Sequence, residues 1–166
     1  YMRKVIEGGS LVNESEFNKE IAISTEDAVD ASNVSVTYSG GNLITVWEDR
    51  GDIKSASYNG SEVKTHIISE KEGMGKRPSI AILEGGKVLI AWDSSANSEQ
   101  EPNQIYGIIA DSDGAAIDQK FHINSNFNKN QCCTYLKSDK DGNIIATWLS
   151  YVDGVDYSIV AQRFNS

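Results

Sequence analysis

The sequence predicts an all-β chain built from repeated four-stranded antiparallel sheets. Three observations carry that expectation. A Gly-to-Trp motif occurs three times, as Gly41-Asn42-Leu43-Ile44-Thr45-Val46-Trp47, Gly86-Lys87-Val88-Leu89-Ile90-Ala91-Trp92 and Gly142-Asn143-Ile144-Ile145-Ala146-Thr147-Trp148, and it contains all three tryptophans of the chain. The segments around it are short apolar or β-branched runs of about 5–7 residues, a strand length and too short for an ordinary helix. Turn pairs punctuate them: Gly40-Gly41, Asn59-Gly60, Gly85-Gly86 and Asp141-Gly142 supply the positive φ angles that tight hairpins need.

Each unit reads as four strands. The first is Val34 to Tyr38, Ser79 to Leu83 and Cys133 to Leu136 in the successive copies, and the second is the Gly-to-Trp segment. The third is Ile53 to Tyr58, Ile105 to Ala110 and Tyr157 to Phe164. The fourth follows the turns Asn59-Gly60 and Asp113-Gly114, as His66 to Ser69 and Phe121 to Asn124, with a further copy at Ile21 to Ser24. Glu26 to Asn33 is the best helical candidate, and a short turn is the expectation there. The extra length of the second unit falls in one loop, Asp93 to Gln104, which leaves the other elements in register.

The domain expectation is a single repeat-built β domain over residues 1–166. It consists of a partial unit 1–24, with Met2 to Ile6 as a third strand, a unit 34–69, a unit 79–124 and an incomplete unit 133–164. Ile21 to Ser24 could supply the fourth strand that the last unit lacks, closing a ring by mixing the two ends. Four-stranded units of this length are similar to β-propeller blades. Asp141 to Trp148, followed by Ile159-Val160-Ala161-Gln162-Arg163-Phe164, resembles the tandem repeats of large bacterial secreted and surface proteins, in which an apolar run ends in Trp and an Ala-Gln-Arg-Phe-like strand follows. That resemblance implies an extracellular or cell-surface setting. Sialidase-type propellers often carry a Ser-x-Asp-x-Gly-x-x-Trp turn; Asp139, Asp141 and Gly142 are present, but Trp148 lies too far beyond Gly142 to complete it. Three blades are fewer than a conventional ring, so a homodimer completing the ring, a longer array and an open stack all remain as readings.

Composition narrows the function. With 39% hydrophobic residues and 2 prolines in 166, the chain is neither disordered nor collagen-like. The net charge of −9 repels phosphate backbones and anionic membrane surfaces, so no nucleic-acid partner is expected. No apolar run is long enough for a spanning helix, so no membrane insertion is expected either.

The chemistry-bearing residues have bland alternatives at every point. Cys132-Cys133 read as reduced neighbours, one facing the sheet interior and the other the opposite side, with a vicinal disulfide as the lesser alternative because adjacent cysteines pair only in a strained ring. His66 and His122 read as sheet residues without the further ligands that zinc requires. The tryptophans read as packing between sheets rather than sugar platforms. Asp111 to Gly114 and Asp139 to Gly142 read as turns rather than calcium loops, since the Glu at loop position 12 and the flanking helices are missing. No cofactor is expected; the one candidate ion is calcium, at Asp153 and Asp156 in the loop Tyr151 to Asp156.

The longer loops join second to third strands and fourth strands to the next unit, so they emerge on one face. A rigid scaffold presents function on such loops. The expected ligand-binding residues on that face are Asp49, Arg50, Asp93 and Tyr151. No nucleophile elbow, metalloprotease motif or phosphate loop is present. Of four arginines, only Arg50 and Arg77 fall on this face, which weakens a carboxylate-gripping sialidase site. The functional expectation is a non-catalytic recognition or scaffold module binding glycan or protein; the alternative is a fragment or subunit of a sialidase-like propeller glycoside hydrolase.

Overall fold

The computed structural model describes residues 20–24, 28, 30–69, 75–94, 102–152 and 156–165. Eleven strands form three separate antiparallel sheets. The first sheet runs β1 (Ala31–Ser39), β2 (Asn42–Asp49), β3 (Asp52–Tyr58) and β4 (Val63–Ser69) in chain order. The second has β5 (Lys76–Ile82), β6 (Val88–Ser94), β7 (Gln104–Ala110) and β8 (Phe121–His122). The third has β9 (Gln131–Ser138), β10 (Ile144–Val152) and β11 (Asp156–Phe164). Among the described residues the one helical element is a 3-10 turn, Glu84–Gly86. None of their helices is long and apolar enough to cross a membrane.

The sheets stack face to face and approach most closely along their first strands, with β1 against β5 and β5 against β9. Strand alternation decides what fills each joint. Between the first and second sheets lie Ile44, Val46, Ile53 and Ile68 on one side and Ile80, Val88, Ile90, Trp92 and Ile108 on the other. Between the second and third lie Ala81, Leu89, Ala91, Ile105 and Ile123 against Leu136, Ile144, Ala146 and Trp148. Each repeat therefore uses one face of its Gly-to-Trp strand for the following sheet and the indole face for the preceding one. Trp92 and Trp148 are wedged in joints as expected. Trp47 differs: the same alternation puts it on the outer face of the first sheet, where its buried Nε1 has no partner among the described residues.

The two end faces are thus of opposite kinds. The outer face of the first sheet carries exposed Val34, Val36 and Tyr38, and that of the third carries exposed Tyr135, Ile145, Tyr157 and Ile159. In the inner sheet, the equivalent faces are both covered.

Several expectations are corrected. β1 starts at Ala31, so the last residues of the helix-or-turn candidate Glu26 to Asn33 are strand. The link between β2 and β3 is a two-residue hairpin, because Arg50 (φ 54°) and Gly51 (φ 85°) are both left-handed. Ile21 to Ser24 forms no strand, and the third sheet holds three strands among the described residues, so the two ends do not mix there. Met2 to Ile6 lies outside the described residues. β8 is shorter than expected: beyond His122 the Asn124 side chain takes over the ladder, its Oδ1 accepting from the Ile105 amide at 2.8 Å.

Candidate functional site

A feature absent from the sequence reading recurs in all three sheets. Opposite each tryptophan, the first strand bulges by one residue: Asn33-Val34 faces Trp47, Arg77-Pro78 faces Trp92 and Cys133-Thr134 faces Trp148. The first residue of each bulge is left-handed, with φ 51°, 50° and 64° for Asn33, Arg77 and Cys133. Asn adopts that conformation with little strain, but Arg and Cys do so at a cost of about 1–3 kcal/mol each, and such strain gathers at functional positions. Pro78 fits because it lies at a bulge on an edge strand, where no ladder donor is needed.

The bulges of the second and third sheets are tied to the preceding sheet by the residue after its tryptophan. Glu48 Oε2 accepts from the Arg77 amide at 3.1 Å and from Asn33 Nδ2 at 2.8 Å. One repeat later, Asp93 Oδ1 accepts from the Cys133 amide at 3.2 Å. Asp93 also receives the Arg77 guanidinium as a two-pronged pair, Nε to Oδ1 at 3.0 Å and Nη2 to Oδ2. Arg77 therefore links both carboxylates, one through its backbone and one through its side chain.

Burial sets the electrostatics of this cluster. Asp93 is 1% exposed, whereas the Arg77 side chain is 39% exposed. Burial pushes the Asp93 carboxyl above its ordinary range, against the opposing pull of Arg77. Arg77 is held further into its charged form: burial opposes that charge, but the Asp93 carboxylate outweighs it.

The expected site residues divide. Asp93 joins the cluster, although it ends up inside β6 rather than in a loop. Asp49 is buried at the end of β2, where its Oδ2 pairs with Lys54 Nζ at 2.7 Å and its Oδ1 accepts from the Asp30 amide at 3.2 Å. Arg50 is exposed on the hairpin. Tyr151 sits on the third sheet, edge-on to Tyr157 with centroids 5.4 Å apart, and its amide donates to the Asn130 carbonyl at 2.8 Å. Asp156 is exposed at the start of β11, and Asp153 lies outside the described residues. Among the described residues no group of three His, Cys, Asp or Glu could hold a metal ion. The carboxylates of Asp111 and Asp139 turn back onto amides of their own turns, which explains those motifs without an ion.

Sequence reasoning missed Glu48, Asn33 and Cys133 as a unit with Arg77 and Asp93. The available signal was the acidic residue following Trp47 and Trp92 at the same repeat position.

No family model matches the chain, and no curated protein matches it in sequence. Solved structures do match in fold. A Hadza microbial sialidase superposes with a TM-score of 0.60 at 11% identity, covering 72% of this chain and 32% of its own. An endo-arabinase from Bacteroides thetaiotaomicron gives 0.58 at 14%, covering 86% and 60%. An α-L-arabinofuranosidase from Lactobacillus brevis gives 0.59 at 15%, covering 86% and 55%. The chain thus spans less than two thirds of each neighbour. At these identities the likeness is one of fold: antiparallel blades of the kind found in propellers.

Proposed function

We propose that this chain is a non-catalytic, glycan-recognising segment of a larger β-propeller. The observation that carries the reading is the Arg77–Asp93 pair, set in a strained bulge on the loop side and partly open to solvent. A guanidinium fork fixed by a buried carboxylate is a rigid, directional donor, suited to the hydroxyls or carboxylate of a sugar. Carbohydrate-active neighbours support the ligand class. Glycoside hydrolysis needs two carboxyl groups, one of them acting as acid. In this cluster both carboxylates are already engaged, Asp93 by Arg77 and the Cys133 amide, Glu48 by Asn33 and the Arg77 amide. That favours recognition over catalysis. The resemblance of the last unit to tandem repeats of bacterial secreted and surface proteins supports an extracellular setting.

The open end faces support incorporation in a larger ring. One accepts a preceding sheet and the other a following sheet, so head-to-tail contact with a second copy would cover both. Mass in solution tests the second copy as the occupant; a dimer supports it, and a monomer at high concentration leaves the faces to other blades of a larger propeller.

A glycan array probed with the intact chain tests the recognition reading. Binding is expected, with Arg77→Lys weakening it by about tenfold because lysine keeps the charge but loses the fork. An array with no bound glycan, or affinity unchanged in Arg77→Lys, overturns it. Hydrolysis of chromogenic glycosides that disappears in Asp93→Asn would replace it with the enzyme reading.

A further inference from the structure

Cys132 and Cys133 are adjacent in β9, and in a regular strand their side chains would point to opposite faces. The bulge removes that alternation. With Cys133 left-handed, the two Sγ atoms lie 2.8 Å apart on the same side, which corrects the expectation of one inward and one outward thiol. Both are free thiols, Cys133 exposed and Cys132 half-buried. The amide between them belongs to Cys133 and is the group that Asp93 holds.

We propose that Cys132 and Cys133 form a reversible two-electron thiol–disulfide site whose oxidant is a low-molecular-weight disulfide. Cys133, as the exposed partner, loses its proton and attacks one sulfur of the small disulfide. A mixed disulfide forms on Cys133, and the first small thiolate leaves and takes up a proton. Cys132 then gives up its proton and attacks Cys133 Sγ, breaking the mixed disulfide and expelling the second small thiolate. The protein loses two protons and two electrons, and one small disulfide becomes two small thiols. Burial, together with the neighbouring thiol, pushes Cys132 up to about 12, so the exposed sulfur reacts first. The product is an eight-membered ring, more strained than ordinary disulfide geometry allows, and strained disulfides are the readily reduced ones. Ring closure also distorts the peptide that Asp93 holds. Oxidation is therefore felt first at the tie between the second and third sheets.

The test uses the full-length chain and oxidised glutathione, with quenching by alkylation and mass analysis. The expected product has lost two hydrogens, retains no glutathione, carries the bond within the Cys132–Cys133 peptide and is restored by reduced glutathione alone. Cys132→Ser should keep one glutathione on Cys133 as a stable adduct. Cys133→Ser should react about tenfold more slowly than Cys132→Ser, since its remaining thiol is half-buried and seldom ionised. A wild-type chain that keeps a stable glutathione adduct, links to a second chain, or loses no thiols overturns the proposal.

Discussion

Between the first and second sheets, the polar ties lie mostly at the turn end of the strands. Ser39 Oγ donates to the Gly86 carbonyl at 3.1 Å, Asn42 Nδ2 to the Ser112 carbonyl at 2.8 Å, and Ser55 Oγ to the Gly114 carbonyl at 2.6 Å. Between the second and third sheets, apart from the Leu136 amide that donates to Ser79 Oγ at 2.9 Å, they lie at the loop end. There the Gln131 backbone amide donates to the Asn103 carbonyl at 2.9 Å and Asn130 Oδ1 accepts from the Asn103 backbone amide at 2.8 Å, while Gln131 Oε1 accepts from Trp148 Nε1 within the third sheet. Both joints share the carboxylate-to-bulge tie and an aliphatic core. An apolar core is non-directional and tolerates sliding, so each joint needs polar contacts to fix its register. Where those contacts sit follows from local chain length. The two-residue hairpin Arg50-Gly51 offers the loop end of the first joint one carbonyl, that of Gly51, which accepts from the Gly75 amide at 2.9 Å, whereas Asn103 before β7 and Asn130 before β9 meet directly across the second.

The comparison can be broken at several places. The largest effect is expected for Trp148→Ala, about 3–5 kcal/mol of stability in urea unfolding, because the second joint loses its indole and Gln131 loses its partner. Asp93→Ala should cost about 1–3 kcal/mol, leaving the Arg77 guanidinium and the Cys133 amide without their acceptor, while Glu48→Ala at the same repeat position should cost about 1 kcal/mol, since no charged pair is broken. Equal losses for the two would erase the distinction between the ties. Gly114→Ala probes the turn end of the first joint. Its φ is 81°, and an added Cβ would lie 3.1 Å from Ser55 Oγ, so a loss of about 1–3 kcal/mol is expected with the second joint unaffected.

The smallest effect concerns pH. His122 lies between the rings of Tyr106 and Phe127, with centroids 4.6 and 4.7 Å away. Burial, and secondarily the charge of Lys120, lower its pKa below the ordinary 6.5. The folded state thus favours neutral imidazole. Its contribution to stability is complete above the unfolded value and is lost as pH falls through the folded value. An NMR titration should place the His122 midpoint below 6.5, and a midpoint above it would contradict this account.

Much of the architecture was legible in the sequence, because alternation, Gly-containing turns and a repeated indole are local signals. β2, β6 and β10 fall where the Gly-to-Trp motif puts them. The bulges were not legible, since Asn33, Arg77 and Cys133 adopt a conformation that glycine usually announces. Asp93 read as a loop residue because a charged side chain argues against burial; the Arg77 fork that permits it comes from a different strand of the sheet. Ile21 to Ser24 has a strand-like pattern but pairs with no strand among the described residues, and no pattern within a segment can reveal that.

Residue-resolved amide hydrogen exchange tests most directly whether each sheet's second-strand carboxylate caps the next sheet's bulge. The account predicts that the Arg77 and Cys133 amides are both protected, that Asp93→Ala releases Cys133 while Arg77 stays protected, and that Glu48→Ala does the reverse. Fast exchange at both amides in the unaltered chain, or protection that neither substitution changes, would contradict it.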